Sequence, residues 1–99
     1  MKSGKISLAD TKTFAVGDVS GKTYVDETVF DALEVTVDGM HGDKVLKVQM
    51  RMYRIEEGAG TFTLDGVSYD ATPGDLFVIY KGTHWMYRGK MKLFEVTLK

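Results

Sequence analysis

Polar and aromatic side chains occupy every second position from residue 47 to residue 53, and apolar side chains fill the positions between them. The polar set is Lys47, Gln49, Arg51 and Tyr53, and the apolar set is Leu46, Val48, Met50 and Met52. Arginine offers a bidentate fork of N–H groups and lysine offers a point charge, so Lys47 and Arg51 suit a carboxylate, a sugar acid or a phosphate ester. If this face lines a cavity, we expect it to bind a small anionic molecule.

The same alternation permits the opposite orientation, because period two defines two faces without labelling the buried one. In that alternative, Lys47 and Arg51 point to solvent and Met50 and Met52 lie in the core. If the polar face is inward, the methionines need another cover, which a second copy of the chain would supply. The sequence therefore predicts a homodimer that pairs through this segment or through the N-terminal residues around Ile6 and Leu8, and it leaves the two orientations open.

Aromatic and histidine side chains cluster between residues 80 and 87. Together with Tyr53, the aromatic residues Tyr80, Trp85 and Tyr87 are candidates for a pocket mouth, where aromatic faces stack on sugar rings or other planar ligands. His84 lies beside Trp85 and is a candidate ligand contact. The other histidine, His41, falls in the glycine-rich stretch 38–43, which we interpret as a turn. Two histidines and scattered serines do not define a catalytic triad.

Composition excludes several classes of protein and site. A formal net charge of -1 provides no excess of cations for a nucleic-acid surface. The absence of cysteine rules out disulfides and thiolate zinc sites. The longest apolar run, 76–80, is too short to cross a bilayer, and no leader pattern is visible at the N-terminus. We expect one domain, residues 1–99, in the cytoplasm, with a small-molecule ligand and with neither nucleic acid nor membrane as a partner.

Short segments of alternating hydrophobicity separated by glycine turns predict an all-β chain. Residues 33–37 form one such segment, and residues 44–55 predict one long strand. Asp65-Gly66 favours a tight hairpin. The apolar residues Leu76–Tyr80 predict a central strand, and Gly89 is predicted to separate two strands at 83–88 and 91–98. Residues 27–33 have room for one helical turn. These elements predict an antiparallel sandwich or barrel with Val78 and Ile79 in its core.

The glycines and turns of the second half of the chain resemble those of a small RmlC-like cupin. The resemblance rests on residues 53–66, Pro73-Gly74-Asp75 and Lys81-Gly82-Thr83, and it covers roughly residues 44–98. It implies an antiparallel cupin-type β-barrel or jelly roll. It also implies that the inward face of segment 44–55 carries the ligand-binding residues.

Cupins usually carry histidine and glutamate ligands for a metal, and this chain departs from that pattern. The expected ligand places fall on Val45, Lys47, Arg51 and Trp85, or on Lys44 and Leu46 with a longer spacing. Lys, Arg and Trp offer no lone pair to a metal. We therefore expect no metal and no cofactor, and a cupin that binds an anionic or sugar-like metabolite. The alternative is a cupin enzyme of the isomerase, epimerase or dioxygenase type with a shifted metal site, or a metal-free one that uses Lys47, Tyr53 or His84 for proton transfer.

Overall fold

Seven antiparallel strands account for most of the chain. The computed structural model describes residues 3–99. A 3-10 turn (Leu8–Asp10) precedes β1 (Lys12–Val16), β2 (Val19–Asp26), β3 (Phe30–Val45), β4 (Met50–Leu64), β5 (Val67–Ala71), β6 (Leu76–Tyr80) and β7 (His84–Leu98). No helix within residues 3–99 has the length and apolar character needed to cross a membrane.

The strands are ordered β1-β2-β3-β7-β4-β5, and β6 also pairs with β4. Three long strands, β3, β7 and β4, form the centre of this order, and every pairing is antiparallel. The predicted all-β antiparallel architecture is therefore confirmed.

A row of three glycines crosses the long strands and divides the sheet in two. Gly39 pairs with Gly89, and Gly89 pairs with Gly60. Gly89 has φ of 135°, which a side chain would disfavour, and a Cβ there would lie 2.6 Å from the carbonyl oxygen of Ala59. On one side of the row β2 and β6 extend the sheet, and on the other side β5 extends it.

The two halves of the sheet face each other and enclose one core. Phe62 of one half stacks on Phe77 of the other, with 4.1 Å between ring centroids. Tyr53 and Trp85, which also belong to different halves, have ring centroids 6.0 Å apart. Apolar side chains from all strands except β1 and from the 46–49 bend fill the space between the halves: Val19, Val35, Val37, Leu46, Tyr53, Ile55, Phe62, Ala71, Ile79, Trp85, Tyr87, Met91 and Leu93.

The predicted long strand over residues 44–55 is wrong, because the chain bends at residues 46–49 between β3 and β4. Leu46 N–H donates to the Thr83 carbonyl, and Lys81 N–H donates to the Gln49 carbonyl. These bonds to the 81–83 turn replace the strand ladder. Neither orientation considered for the whole segment holds, since Leu46 is buried at the start of the bend while Arg51 and Tyr53 point inward after it.

The predicted hairpin at residues 65–66 is confirmed, and the predicted position of the strand at 76–80 needs correction. Asp65 and Gly66 both have positive φ and connect β4 to β5 as the predicted hairpin. The strand at 76–80 exists, yet within the described chain it pairs with β4 alone, so it is an edge strand rather than a central one. Ile79 is buried in the core, whereas Val78 is half-buried on the opposite face.

Two further elements differ from the prediction. Gly89 does not separate two strands, because β7 continues through it as one strand that changes from one half of the sheet to the other. Residues 27–33 form a bend and the start of β3 instead of a helical turn, since the backbone from Phe30 onward pairs with β7.

Candidate functional site

Polar side chains from the three long strands meet inside the barrel at one end of the core. β4 supplies Arg51 and Tyr53, β7 supplies Trp85, Tyr87, Glu95 and Thr97, and β3 supplies His41. The ladder fixes their neighbours, because Arg51 lies opposite Thr97, Tyr53 opposite Glu95, and His41 opposite Tyr87. We call these seven residues the polar cluster.

Arg51 links the members of the polar cluster. Its Nε donates to Thr97 Oγ1 at 2.8 Å and lies 3.8 Å from Glu95 Oε2. The guanidinium carbon lies 5.4 Å from the centroid of the Trp85 ring, which is within the range of a cation–π interaction. The side chain is only 19% exposed, so the fold holds this cation inside the barrel.

Glu95 is the buried acid of the polar cluster. Its carboxylate accepts a bond from Thr97 Oγ1 at 3.3 Å. Burial raises the pKa of the Glu95 carboxyl, although the positive charge of Arg51 and the bond from the Thr97 hydroxyl act in the opposite direction. The carboxyl is therefore easier to protonate than an exposed glutamate.

Two tyrosine hydroxyls lie in the polar cluster without hydrogen-bond partners. Tyr53 and Tyr87 are essentially unexposed, and their ring centroids are 5.2 Å apart. Neither hydroxyl has a hydrogen-bond partner within residues 3–99, and the same holds for the Trp85 indole N–H. Burial raises the pKa of Tyr53 and of Tyr87, and the negative charge of Glu95 adds to this shift. Both phenols therefore remain protonated and able to donate.

His41 completes the polar cluster from β3. Its ring centroid lies 5.5 Å from that of Tyr87 and 5.6 Å from that of Trp85. Burial lowers the pKa of His41, and the positive charges of Lys44 and Arg51 lower it further. The imidazole is therefore neutral at neutral pH, with one ring nitrogen free to accept a proton.

Two cavities open next to the polar cluster. The interior cavity has a volume of about 260 Å³; Glu95, Tyr87 and His41 line its polar end, and Phe14, Val19, Leu33 and other apolar residues line its wall. The outer recess has a volume of about 610 Å³. It is lined by residues 44–48, by Arg51 and by Trp85. Lys44 and Arg51 line both cavities.

The structure brings together four of the residues singled out in the sequence, namely Arg51, Tyr53, Trp85 and Tyr87. Lys47 is exposed and lines the outer recess. Gln49 is exposed at the bend between β3 and β4, and Tyr80 is 63% exposed on the outer side of β6. His84 lies at the barrel rim, where its Nε2 is 3.1 Å from Asp43 Oδ1. These last three do not reach the polar cluster.

Sequence reasoning missed His41 and Glu95 as site residues. Val35, Val37 and His41 share the inward parity of β3, so an alternation extended through Gly39 would have placed the imidazole inside. This alternation was not recognised, because the glycines at 39 and 42 favour a turn rather than a continuous strand.

The side chains at this site do not fit the metal that cupins usually bind. Within residues 3–99 no three His, Cys, Asp or Glu side chains come together as a metal site would require. The interior positions hold an arginine and an indole, which cannot ligate a metal, together with two protonated phenols, and they leave one imidazole and one carboxylate, His41 and Glu95, as metal-competent side chains.

Similarity to solved structures extends over nearly the whole chain. Pac13 from Streptomyces, described as a unique nucleoside dehydratase, superposes with a TM-score of 0.85 at 19% identity over 98% of this chain and 82% of that one. Three further Pac13 structures contain uridine and carry a tyrosine-to-phenylalanine or a histidine-to-glutamine replacement.

Two other structures share the same fold. An RmlC-like cupin from Shewanella frigidimarina has a TM-score of 0.80 at 17% identity, covering 97% of this chain and 91% of that one. KdgF from Halomonas has a TM-score of 0.78 at 14% identity, covering 99% and 96%. No protein-family model and no curated protein sequence matches the chain. The chain has the fold of an RmlC-like cupin, as its turn pattern predicted.

Proposed function

We propose that the interior cavity binds a small hydroxylated molecule of the nucleoside or sugar type without a metal ion. One observation carries the proposal: the buried hydroxyl of Tyr87, which lines this cavity, has no hydrogen-bond partner within residues 3–99. A buried polar group without a partner costs about 1–3 kcal/mol. A ligand that supplies an acceptor to this donor removes that cost on binding.

The shape of the interior cavity supports the same class of ligand. Its polar end presents donors from Tyr87 and Arg51 and acceptors from Glu95 and neutral His41, which together match the mixed donor and acceptor character of ribose or sugar hydroxyls. Its wall, which includes Phe14 and Leu33, offers contact to a flat apolar surface such as a base. A volume of about 260 Å³ is near the lower limit of the range found for small-molecule pockets.

The comparison with Pac13 adds independent support. That protein is a nucleoside dehydratase whose structures contain uridine, and the residue types replaced in those structures are tyrosine and histidine. Two tyrosines and one histidine are also the side chains that converge in this barrel. Uridine is therefore the first ligand to test.

Calorimetric titration with uridine, other nucleosides and free sugars tests the binding proposal. We expect at least one of these ligands to bind, and we expect Tyr87→Phe to weaken it by about twofold to tenfold, the effect of one neutral hydrogen bond. Tyr69→Phe is the matched control, because Tyr69 is 47% exposed on β5. Absence of binding across the panel, or equal losses in both variants, would contradict the proposal.

Acid–base catalysis is the second candidate function. Neutral His41, with its ring 5.5 Å from that of Tyr87, supplies a base beside a protonated phenol. Elimination of water needs this pair: the base removes a proton from carbon, the C–H electrons form the double bond, and the leaving hydroxyl departs as water with a proton from the acid. Isomerisation and epimerisation need a similar pair.

Mass spectrometry of nucleosides and sugars that carry a carbonyl group next to the reacting carbon tests for this activity, because the carbonyl acidifies the C–H bond. Loss of one water, abolished in His41→Gln, is the expected result. If the panel is bound by the wild type but returned unchanged, the protein is a binding module and not a dehydratase.

The outer face of the barrel supports the homodimer expected from the sequence. Met50, Met52 and Val78 point away from the core and are only partly covered, while Leu76 and Tyr80 are 57% and 63% exposed. An apolar sheet face of this kind suits a second copy related by a two-fold axis. Light scattering at micromolar concentration should give a dimer mass, and Val78→Glu should give a monomer while Val67→Glu on β5 does not. A monomer mass for the wild type would refute the dimer. The location in the cytoplasm stays a prediction.

A further inference from the structure

Among residues 3–99, the outer recess is lined by three cations and by no acid. Lys44, Lys47 and Arg51 surround it, together with Trp85 and the apolar residues 45, 46 and 48. Lys44 Nζ and the Arg51 guanidinium carbon lie 5.8 Å and 5.4 Å from the centroid of the same indole ring. The positive charges of two side chains are therefore concentrated on one aromatic surface.

Nearby carboxylates leave this charge largely uncompensated. Asp43 pairs with His84 at 3.1 Å, and Glu95 approaches Arg51 at Nε, at a distance of 3.8 Å. The two terminal nitrogens of Arg51 have no hydrogen-bond acceptor within residues 3–99, and neither lysine forms an ion pair there. A guanidinium whose terminal fork is free, inside a barrel and 19% exposed, is prepared to bind an anion in a bidentate manner.

We infer that the outer recess binds the phosphate of a phosphorylated ligand whose sugar or nucleoside part occupies the interior cavity. Lys44 and Arg51 line both spaces, so a single molecule with its neutral part inside and its phosphate outside would contact them from both sides. A phosphate monoester carries up to two negative charges and three free oxygens, which matches two lysines and a guanidinium better than a carboxylate does. This inference rests on the proposed function, since it names the ligand of the same site.

The test compares uridine, uridine 5′-monophosphate, uridine 5′-carboxylate and inorganic phosphate. The chain contains a single tryptophan, so quenching of Trp85 fluorescence reports occupancy of the recess, and calorimetry gives the affinities. We expect the monophosphate to bind about tenfold to a hundredfold more tightly than uridine, with a smaller gain for the carboxylate and a gain that declines as salt screens the charges.

Lysine variants assign the gain to the recess. Lys47→Met should lower the ratio of monophosphate to uridine affinity severalfold, and Lys44→Met with Lys47→Met should lower it further. Lys90→Met, which removes the same charge from an exposed position on β7, should leave the ratio unchanged. Both recess lysines are exposed, so these variants should fold.

Each outcome decides between the two proposals. If uridine and its monophosphate bind equally, the phosphate site is overturned and the nucleoside site stands. If the monophosphate gains affinity but the lysine variants keep that gain, the phosphate site is also overturned. If inorganic phosphate binds through the lysines while no nucleoside does, the recess is supported and the nucleoside proposal fails. If none of the four ligands binds, the phosphate site is overturned, and the nucleoside proposal is overturned with it when the other nucleosides and the free sugars also fail to bind.

Discussion

Each rung of the barrel consists of three residues that pair across β3, β7 and β4. Adjacent rungs differ in whether the side chains they bury are apolar or polar. Val35, Leu93 and Ile55 form one rung across β3, β7 and β4, and all three are apolar and at most 2% exposed. Two residues further along the strands, the rung contains Leu33, Glu95 and Tyr53, and the next contains Asp31, Thr97 and Arg51.

The two kinds of rung contribute to the protein in opposite ways. Burial of the apolar rung stabilises the fold at about 25 cal/mol for each Å² of apolar surface removed from water. The polar rungs bury Asp31 Oδ1 and the Tyr53 hydroxyl, neither of which has a hydrogen-bond partner within residues 3–99, and such groups cost stability. The apolar rung therefore stabilises the fold, and the neighbouring polar rungs provide the groups for binding. Substitutions in one layer can change stability or binding separately.

The largest expected effect is a loss of stability when the apolar rung is truncated. Ile55→Ala should lower the free energy of unfolding by about 2–5 kcal/mol, because it removes a fully buried side chain and leaves a cavity. Ile6→Ala, at a position 43% exposed, should change it by less than about 0.5 kcal/mol. Urea unfolding measures both. A loss below about 1 kcal/mol for Ile55→Ala would show that this rung is not the stabilising layer.

A smaller loss should follow when the buried ion pair is broken. Arg51→Met leaves the Glu95 carboxylate without its cation, and we expect a loss of about 1–3 kcal/mol, below the range for fully buried pairs because both side chains retain some exposure. Arg51→Met combined with Glu95→Gln should recover most of it in the same urea assay. If the double variant is no more stable than the single one, Arg51 acts through packing on Trp85 rather than through its charge.

The sequence was sufficient for features that depend on neighbouring residues. Asp65-Gly66 forms the predicted hairpin because both residues tolerate positive φ, and period two located the strands. The resemblance to cupins supplied the architecture, since alternation alone does not distinguish a barrel from a sandwich.

Features that depend on distant pairing were not predictable. Lys47 and Arg51 have the same parity, yet the bend at 46–49, bonded to the 81–83 turn, directs Lys47 outward and Arg51 inward. Gly39 looked like part of a turn because its partner, Gly89, lies fifty positions further along the chain. His41 was missed for the same reason.

Removing a tyrosine hydroxyl should separate binding from stability. Tyr53→Phe eliminates a buried donor without a partner, so the free energy of unfolding should stay equal or rise by about 1 kcal/mol, while affinity for a ligand that reaches the polar cluster falls. Tyr24→Phe, in the partly exposed edge pair with Phe94, should change neither quantity appreciably. A destabilised Tyr53→Phe protein would mean that ordered water already satisfies the hydroxyl.

The smallest expected effect is a pH dependence of stability that originates at Glu95. Because burial raises the pKa of Glu95 in the folded state, the folded protein holds a proton at this site that the unfolded chain has already released. Stability contributed by the group is therefore complete below about pH 4.5, the ordinary value, and is lost as the pH rises through the folded-state pKa. Glu95→Gln removes this dependence, so the free energy of unfolding of the wild type minus that of the variant should decrease with rising pH and then become constant.

The pKa of His41 is also shifted, but downward, so His41 contributes to the pH dependence with the opposite sign below about pH 6.5. Because His41 is present in both proteins, its contribution largely cancels in the difference. Urea unfolding across pH 4 to 8 measures the profile, and Glu57→Gln at an exposed position of β4 is the control. An increasing difference would mean that Arg51 outweighs burial and holds Glu95 ionised.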